Sequence, residues 1–395
     1  LPPVTDETPS TIPNPAANAP RVLISSADPS GAMYAAQLAR ALRERVGAEC
    51  FGLGTPVMSE AGVELVGDAA EIHVIGLSEA LTLLPRAWKL MGRLTDEAAR
   101  RKPDVAILVD APDFHLRLGK RLKRLGIPIV YFISPQVWAW RTGRVRQIRG
   151  LVKQMIVIFP FEEKFYRDAG VPVEFVGHPL AETVRARMTR EEFCLKWMLT
   201  PRKPILALLP GSRKSEVEHN LPGMIEALRI LEEDPRARPQ TILAAAPGLG
   251  AKDFEPMLKD APKVRIIENA TRDAVAAADC AIVSSGTATV ETALLGTPMV
   301  VVYRLSAASA MVLRQMVHTP HYSMVNLLLG RRAVPELVQE DFTPERLAAE
   351  TRKLLESSDA RERMRRDLAE VRLRLASPSP AGAIGRAAEI IAGML

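Results

Sequence analysis

Short apolar, largely β-branched runs recur along this chain at intervals long enough to hold one helix each. Arg21–Ile24 opens the series, and Val105–Val109, Ile129–Ile133, Met155–Ile158 and Val173–Val176 continue it. Helical patterns separate most of them, at Tyr34–Arg45, Phe114–Leu125 and Glu162–Ala169. A second series follows at Ile205–Leu209, Thr241–Ala245, Val264–Ile267, Ala281–Val283 and Met299–Val302. Such alternation specifies βα units, because parallel strands need crossover helices that also cover both sheet faces. Between the series, Glu182–Lys203 is charged, strand-free and contains Thr200-Pro201. The expected fold is therefore α/β: two tandem Rossmann-like, doubly wound domains with an inter-domain cleft where strand C-termini face each other. The boundaries read as a disordered leader at 1–20, a first domain at 21–190, a second at 191–365, and a C-terminal helical segment at 366–395.

At 395 residues, with 47% hydrophobic and 25% charged residues, the chain can bury two cores of ordinary size. Cys50, Cys194 and Cys280 are widely spaced, which suits a reducing compartment and excludes a disulfide framework or a CxxC metal site. No run of about 18 apolar residues is present to span a bilayer. The opening segment lacks the basic start and apolar centre of a signal peptide. The net charge of +6 is concentrated in the first half, at Arg117, Lys120, Arg121, Lys123 and Arg124 and again at Arg141, Arg144, Arg146, Arg149 and Lys153. A face of that kind suits a phosphorylated substrate or an anionic membrane surface. Nucleic acid is set aside, because no surface aromatics are interleaved with the charges.

Two turns carry phosphate chemistry. After Cys280–Val283 comes Ser284-Ser285-Gly286-Thr287-Ala288-Thr289-Val290-Glu291, a strand, a hydroxyl-and-glycine turn and a helix start. That geometry presents backbone N–H groups to a phosphate, and the acid a turn later suits a ribose; a capped helix is the plain alternative. The second turn, Leu209-Pro210-Gly211-Ser212-Arg213, offers close backbone approach, a hydroxyl and a guanidinium. Two such loops from one half-domain favour a nucleotide site. In the first domain, Asp110 ends a strand and is the candidate base, while Asp113 is placed to cap the next helix. Trp138 and Trp140, two residues apart, cannot share one helix face: either one lines the cleft or both sit in the core. His178 lies at a strand end near the domain crossing, and the other histidines have no ligand-spaced partners. No metal site and no cofactor are expected. Asn326 and Gln339 sit near loop ends, where amides suit a sugar or a base.

Taken in order, Asp110-Ala-Pro-Asp-Phe, Ser134-Pro-Gln-Val-Trp-Ala-Trp-Arg141, Phe159-Pro-Phe-Glu-Glu163, Phe175-Val-Gly-His-Pro179, Leu209-Pro-Gly-Ser-Arg213, Ser285-Gly-Thr-Ala-Thr289 and Pro335-Glu-Leu-Val-Gln-Glu-Asp341 resemble the lipid-A-disaccharide synthase family. The resemblance runs from about Arg21 to the C-terminus. It implies a GT-B, metal-independent, inverting transfer of 2,3-diacylglucosamine from its UDP conjugate to 2,3-diacylglucosamine 1-phosphate (lipid X). The products implied are the β-1,6-linked lipid A disaccharide 1-phosphate and UDP. By that resemblance Asp110 is the catalytic base. Gly211, Ser212, Arg213, Ser285, Gly286, Thr287, Glu291, Asn326 and Gln339 hold the donor, with Glu291 on the ribose. Asp28, Ser30, Gly31 and His178 belong to the acceptor side.

The resemblance also implies anionic lipid substrates. It therefore gives the basic first domain and the segment Ala80–Trp88 a purpose as a peripheral surface on the cytoplasmic face of the inner membrane. A buried amphipathic helix is the alternative for that segment. The family's C-terminal helices cross back to the first domain or to a partner chain, so a homodimer is one expectation. The sequence departs from the family where Gly-Glu-x-Ser-Gly-Asp becomes Ala27-Asp28-Pro29-Ser30-Gly31-Ala32, and where Gly-Gly-Pro-Arg-Met becomes Gly54-Thr55-Pro56-Val57-Met58. Both changes fall on the acceptor side. Ala32 opens a second reading, a UDP-sugar-binding homologue with little turnover; the second-domain motifs by themselves also suit another GT-B UDP-sugar enzyme.

Overall fold

The computed structural model describes residues 19–72, 80–138, 143–233, 238–305 and 320–395, apart from the side chains of 29, 72 and 80–84. Trp140, Arg141, His73, His318 and nearly all of the leader lie outside the described residues. The first sheet contains β1 (Arg21–Ser26), β2 (Glu49–Gly54), β3 (Glu64–Asp68), β4 (Val105–Val109), β5 (Ile129–Phe132), β6 (Gln154–Val157) and β7 (Val173–Phe175). Its order is β3-β2-β1-β4-β5-β6-β7, with every pairing parallel. The second contains β8 (Ile205–Leu209), β9 (Gln240–Ala244), β10 (Val264–Ile267), β11 (Cys280–Ser284), β12 (Met299–Tyr303) and β13 (Glu336–Val338). Its order is β10-β9-β8-β11-β12-β13, again all parallel.

Each sheet reverses its strand order once, between β1 and β4 and between β8 and β11. At such a switch point the two following loops diverge to opposite faces and leave a crevice at the strand C-termini. The two-residue period of the strands divides the first core in two. Val22, Ile24, Val105, Ile107 and Val109 face one layer; Leu23, Ala106, Leu108, Ile129 and Tyr131 face the other. The first of these layers is continuous with the core of the second domain.

Three strands, β2, β3 and β13, have no counterpart among the apolar runs read from the sequence. In Glu49–Gly54 the pattern is broken by Gly52, which adopts φ 154°. A Cβ there would lie 2.0 Å from the Ile24 carbonyl oxygen, so close approach of β1 requires the glycine. The chain finishes on the first domain. Helix Gly382–Ala392 buries Ala383, Ala387, Ala388 and Ile391. It is tied by Arg45–Glu389 (2.9 Å), by Arg386 Nε to Glu174 (2.9 Å) and by the Ala383 N–H to Glu182 (2.7 Å).

Candidate active site

The loops at the two switch points hold most of the residues singled out from the sequence. On the first sheet, the loop after β1 carries Asp28 and the loop after β4 starts at Asp110. Asp28 caps helix Pro29–Val46, accepting from the Ser30 N–H at 3.1 Å. Gly31 is buried, and a Cβ at that position would come within 2.7 Å of Ser26 Oγ. Ala32 is fully buried in the core layer shared with Ile24 and Val109, so the family's absent aspartate leaves a methyl group facing apolar neighbours. The acidic character of this crevice rests instead on Asp28, Asp110 and a carboxylate the sequence reading passed over, Glu162. Thr55 precedes helix Pro56–Glu60, Val57 is exposed, and Met58 packs beneath Gly54.

Asp110 and Ala111 both adopt left-handed backbone, φ 52° and 45°. Two non-glycine residues in that region cost about 1–2 kcal/mol each, and such strain persists where the surroundings over-determine it. Burial, and after it the Asp28 carboxylate, push the Asp110 carboxyl up to about 6. Asp113 is not the helix cap that was expected. Ala111 occupies that position without a side-chain bond, and Asp113, the second residue of the helix, pairs with Arg144 at 2.7 Å. Proline at the first helical position set the start two residues earlier than a cap at 113 requires.

Glu162 is buried and accepts from Ser134 Oγ (2.6 Å), Trp138 Nε1 (3.0 Å) and the Phe159 N–H (3.3 Å). Burial pushes it up to about 7, against the pull of those donors, and Asp110 adds to the rise. It anchors the loop after β5, where Trp138 stands edge-on to Phe161 with ring centroids 4.8 Å apart. His178 is also buried. Its Nδ1 accepts from the Leu180 N–H at 3.1 Å, capping helix Pro179–Thr183. Burial lowers its pKa to about 3, so the ring is neutral and braces the domain crossing between Tyr34 and Phe159.

On the second sheet the loop after β8 and the loop after β11 lie side by side. They are joined by a residue that sequence reading missed. Asn220 is fully buried in helix Lys214–Glu233 and donates to the Pro210 carbonyl (3.0 Å) and to Ser284 Oγ (3.1 Å). Its Oδ1 accepts from the Arg304 N–H at 2.9 Å, so one amide ties the ends of β8, β11 and β12. A polar residue within the apolar stripe Val217–Leu221–Met224 was the available signal.

In the loop after β8, Gly211 has φ 146°, and a Cβ there would strike Glu216 at 2.4 Å. Glu216 Oε2 accepts from the N–H of Ser212 (2.9 Å) and of Arg213 (3.4 Å), a preformed ring of donors around a carboxylate oxygen. The Arg213 guanidinium stays largely exposed, 3.8 Å from Glu216. In the loop after β11, the Ser285 N–H is taken by the Val302 carbonyl (2.9 Å), and its hydroxyl donates to Tyr322 O (3.0 Å). Ser285 therefore braces the loop rather than facing an anion, because β12 lies within bonding distance of its amide. Gly286 follows at φ 150°, ψ −162°, with open space where a Cβ would stand. It leads into helix Thr287–Leu294, whose first N–H groups have no intrahelical acceptor.

Glu291 lies one turn in, paired with Arg272 through Nη2 (2.7 Å) and Nε (3.0 Å). Arg272 Nη1 also donates to the Thr183 carbonyl of the crossing segment at 3.5 Å. Tyr34, on the first domain's opening helix, stands close enough that burial first and Glu291 second raise its phenol well above the ordinary value. The two domains thus meet across this corner.

The two late amides separate. Asn326 is fully buried, with Nδ2 donating to Val334 O (2.9 Å) and Glu336 (2.8 Å) and Oδ1 accepting from the N–H groups of Ala333 (2.7 Å) and Val334 (3.0 Å). Both donors and both lone pairs are used, so it shapes the 330–336 loop and is not available to a ligand. Gln339, at the C-terminal end of β13, has φ 54° and a buried Nε2 without a hydrogen-bond partner. Of the two amides it is therefore the one with a hydrogen-bonding group left unused.

Similarity to known proteins agrees with this arrangement. The lipid-A-disaccharide synthetase family profile matches residues 22–389. The lipid-A-disaccharide synthase of Myxococcus xanthus (strain DK1622) is 44% identical over 380 residues, 96% of this chain and 98% of that protein. That of Syntrophus aciditrophicus (strain SB) is 45% identical over 374 residues, 94% and 97% of the two chains. Among solved structures, the glycotransferase of kitacinnamycin aligns with TM-score 0.63 at 17% identity, covering 96% of this chain and all (100%) of that one. The UDP-GlcNAc 2-epimerase from Neisseria meningitidis aligns with TM-score 0.63 at 12% identity, covering 95% and 99%. At those identities the two structures speak to the fold alone. By sequence over nearly its whole length, and by a two-domain fold with glycine-bearing strand–turn–helix loops at one switch point and a strained aspartate at the other, the chain belongs to the lipid-A-disaccharide synthase family of glycosyltransferases.

Proposed function

We propose that this chain transfers 2,3-diacylglucosamine from UDP-2,3-diacylglucosamine to 2,3-diacylglucosamine 1-phosphate, with inversion. The products are the β-1,6 disaccharide 1-phosphate and UDP. One observation carries the reading: a buried, strained carboxylate at Asp110 on one switch point, and a guanidinium and open helix N-terminus on the other. Asp110 takes the proton of the acceptor hydroxyl as its oxygen attacks the anomeric carbon. The bond from that carbon to the β-phosphate oxygen breaks, and UDP leaves with the electron pair. Arg213 and the N–H groups of Gly286, Thr287 and Ala288 stabilise the charge that develops there. Glu291, with one side held by Arg272, accepts from the ribose hydroxyls, and Gln339 Nε2 donates to the donor. Asp28, Ser30 and Gly31 border the acceptor.

The test is direct. Purified protein given both lipid substrates releases UDP in step with disaccharide 1-phosphate. UDP binding without disaccharide would move the chain to the non-catalytic reading, and product from UDP-GlcNAc with a soluble sugar would move it to another GT-B activity.

We also propose that helices Ala80–Arg101 and Pro112–Arg124 rest on an anionic membrane surface. Trp88 is 49% exposed, and the guanidiniums of Arg121 and Arg117 lie 5.1 and 6.0 Å from its ring centroid. An exposed indole beside cationic heads suits the headgroup layer. Among the described residues no helix is long and apolar enough to cross a membrane. In co-sedimentation, vesicles containing anionic lipid should bind the protein, and Trp88→Ser with Arg117→Ser and Arg121→Ser should cut binding about 10-fold. Equal binding of both proteins, or equal binding to zwitterionic vesicles, overturns the surface assignment.

A further inference from the structure

The carbonyl oxygen of Asp110 accepts two hydrogen bonds from side chains of different elements. Tyr131, on β5, donates its phenol at 2.6 Å, and His115, one turn into helix Pro112–Arg124, bonds through Nδ1 at 2.7 Å. Because a carbonyl only accepts, Nδ1 carries the imidazole proton. Nε2 is then the acceptor, and it faces Ser25 Oγ at 2.8 Å on β1. His115, Ser25 and Tyr131 are fully buried. Burial pushes His115 down to about 4, so this tautomer stays neutral across the working range. The network joins β1, β4, β5 and the helix behind them at the residue whose backbone is left-handed.

A carbonyl needs only one donor to be satisfied, and a strained turn relaxes unless something holds it. We propose that Tyr131 and His115 are positioning residues for the transfer reaction: they clamp the Asp110 carbonyl, hold φ in the left-handed region and so aim the carboxylate at the acceptor hydroxyl. Neither side chain touches substrate in this scheme. The clamp rests on the reading of Asp110 as the base. A carboxylate aimed by backbone is sensitive to small rotations, since misplacing a reacting group by about 1 Å costs on the order of 100-fold in rate. The charged groups that bear on Asp110 are Asp28 and Glu162, and the substitutions below remove neither; the Tyr131 phenol, raised well above its ordinary value by burial, is neutral.

Three substitutions separate the clamp from a general packing role. Tyr131→Phe removes one hydroxyl and leaves the ring. His115→Leu removes the other donor, and His115→Asn keeps an N–H near the place of Nδ1. Tyr131→Phe and His115→Leu should each lower kcat about 10-fold while KM for the donor and UDP affinity stay within about 2-fold. His115→Asn should recover most of the loss. The acid limb of the kcat/KM profile should shift in the first two variants and return in the third. In an Asp110→Asn background, Tyr131→Phe should change the residual rate by less than about 2-fold.

Folded Tyr131→Phe and His115→Leu proteins with unchanged kcat and unchanged pH profile overturn the clamp. A loss of kcat matched by an equal loss of UDP affinity overturns it as well, because the effect is then not local to Asp110. Full turnover in Asp110→Asn alone instead removes the base assignment, and that result is read before any clamp variant is made.

Discussion

Asp110→Asn should lower kcat about 1,000-fold, the scale of losing a positioned general base, while UDP affinity stays within about 2-fold. The same substitution should make the protein more stable at pH 8. Asp110 stands at about 6 in the fold against an ordinary 3.8. For a group raised on folding, the favourable contribution is complete below the unfolded value and is lost as pH rises through the folded one. Above about pH 6 the native protein therefore holds a buried charge that the unfolded chain would solvate. Removing that charge returns on the order of 2–3 kcal/mol at pH 8 and close to nothing below about pH 4. Thermal melts of both proteins at the two pH values measure this. Wild-type kcat/KM should rise through about pH 6 as the base ionises. Normal turnover in the variant, or a lower melting temperature at pH 8, removes the base assignment or its electrostatic account respectively.

Arg213→Ala should lower kcat/KM for the donor about 100-fold. The guanidinium is largely exposed and has only a 3.8 Å approach to Glu216, so it is free to turn toward a diphosphate. A charge-assisted bond to phosphate that strengthens as the leaving group gains charge is worth about 2–3 kcal/mol. Most of the loss should fall on kcat, with a smaller part on UDP affinity. Arg213→Lys should recover only part of it, because an ammonium is a point charge without the bidentate fork. Titration calorimetry with UDP and steady-state rates with both lipids separate the two parts. Unchanged UDP affinity with unchanged kcat would place the diphosphate elsewhere.

Much of the fold was legible along the chain. Buried parallel strands are continuous apolar runs, and ten of the thirteen strands among the described residues carry one. The exceptions have local causes. β2 carries Gly52 because the β1 backbone passes too close for a side chain, and β3 and β13 are short edge strands with charged residues. The strand–turn–helix form of the loops after β8 and β11 was legible too, because glycine and hydroxyl residues between an apolar run and a helical pattern are a local signal.

What depended on distance through space was hidden. Asn326 and Gln339 look alike on the page, yet one amide has every bond made and the other has a buried donor unmade. His178 reads as a group near the crossing and is a neutral, buried cap. Ser285 stands in the phosphate turn but spends its amide on β12.

By itself the sequence determined the class of fold, the pair of sheets and the family. Strand and helix periodicities and turn residues are local properties that a chain displays before it folds. Only the tertiary structure decided which polar groups remain free to act. It joined the loops after β8 and β11 through Asn220, buried Glu162 beside Asp110, and brought His115 and Tyr131 onto one carbonyl from separate elements. Burial and hydrogen-bond saturation are set by neighbours remote in the chain, and they separate a residue that acts from one that braces.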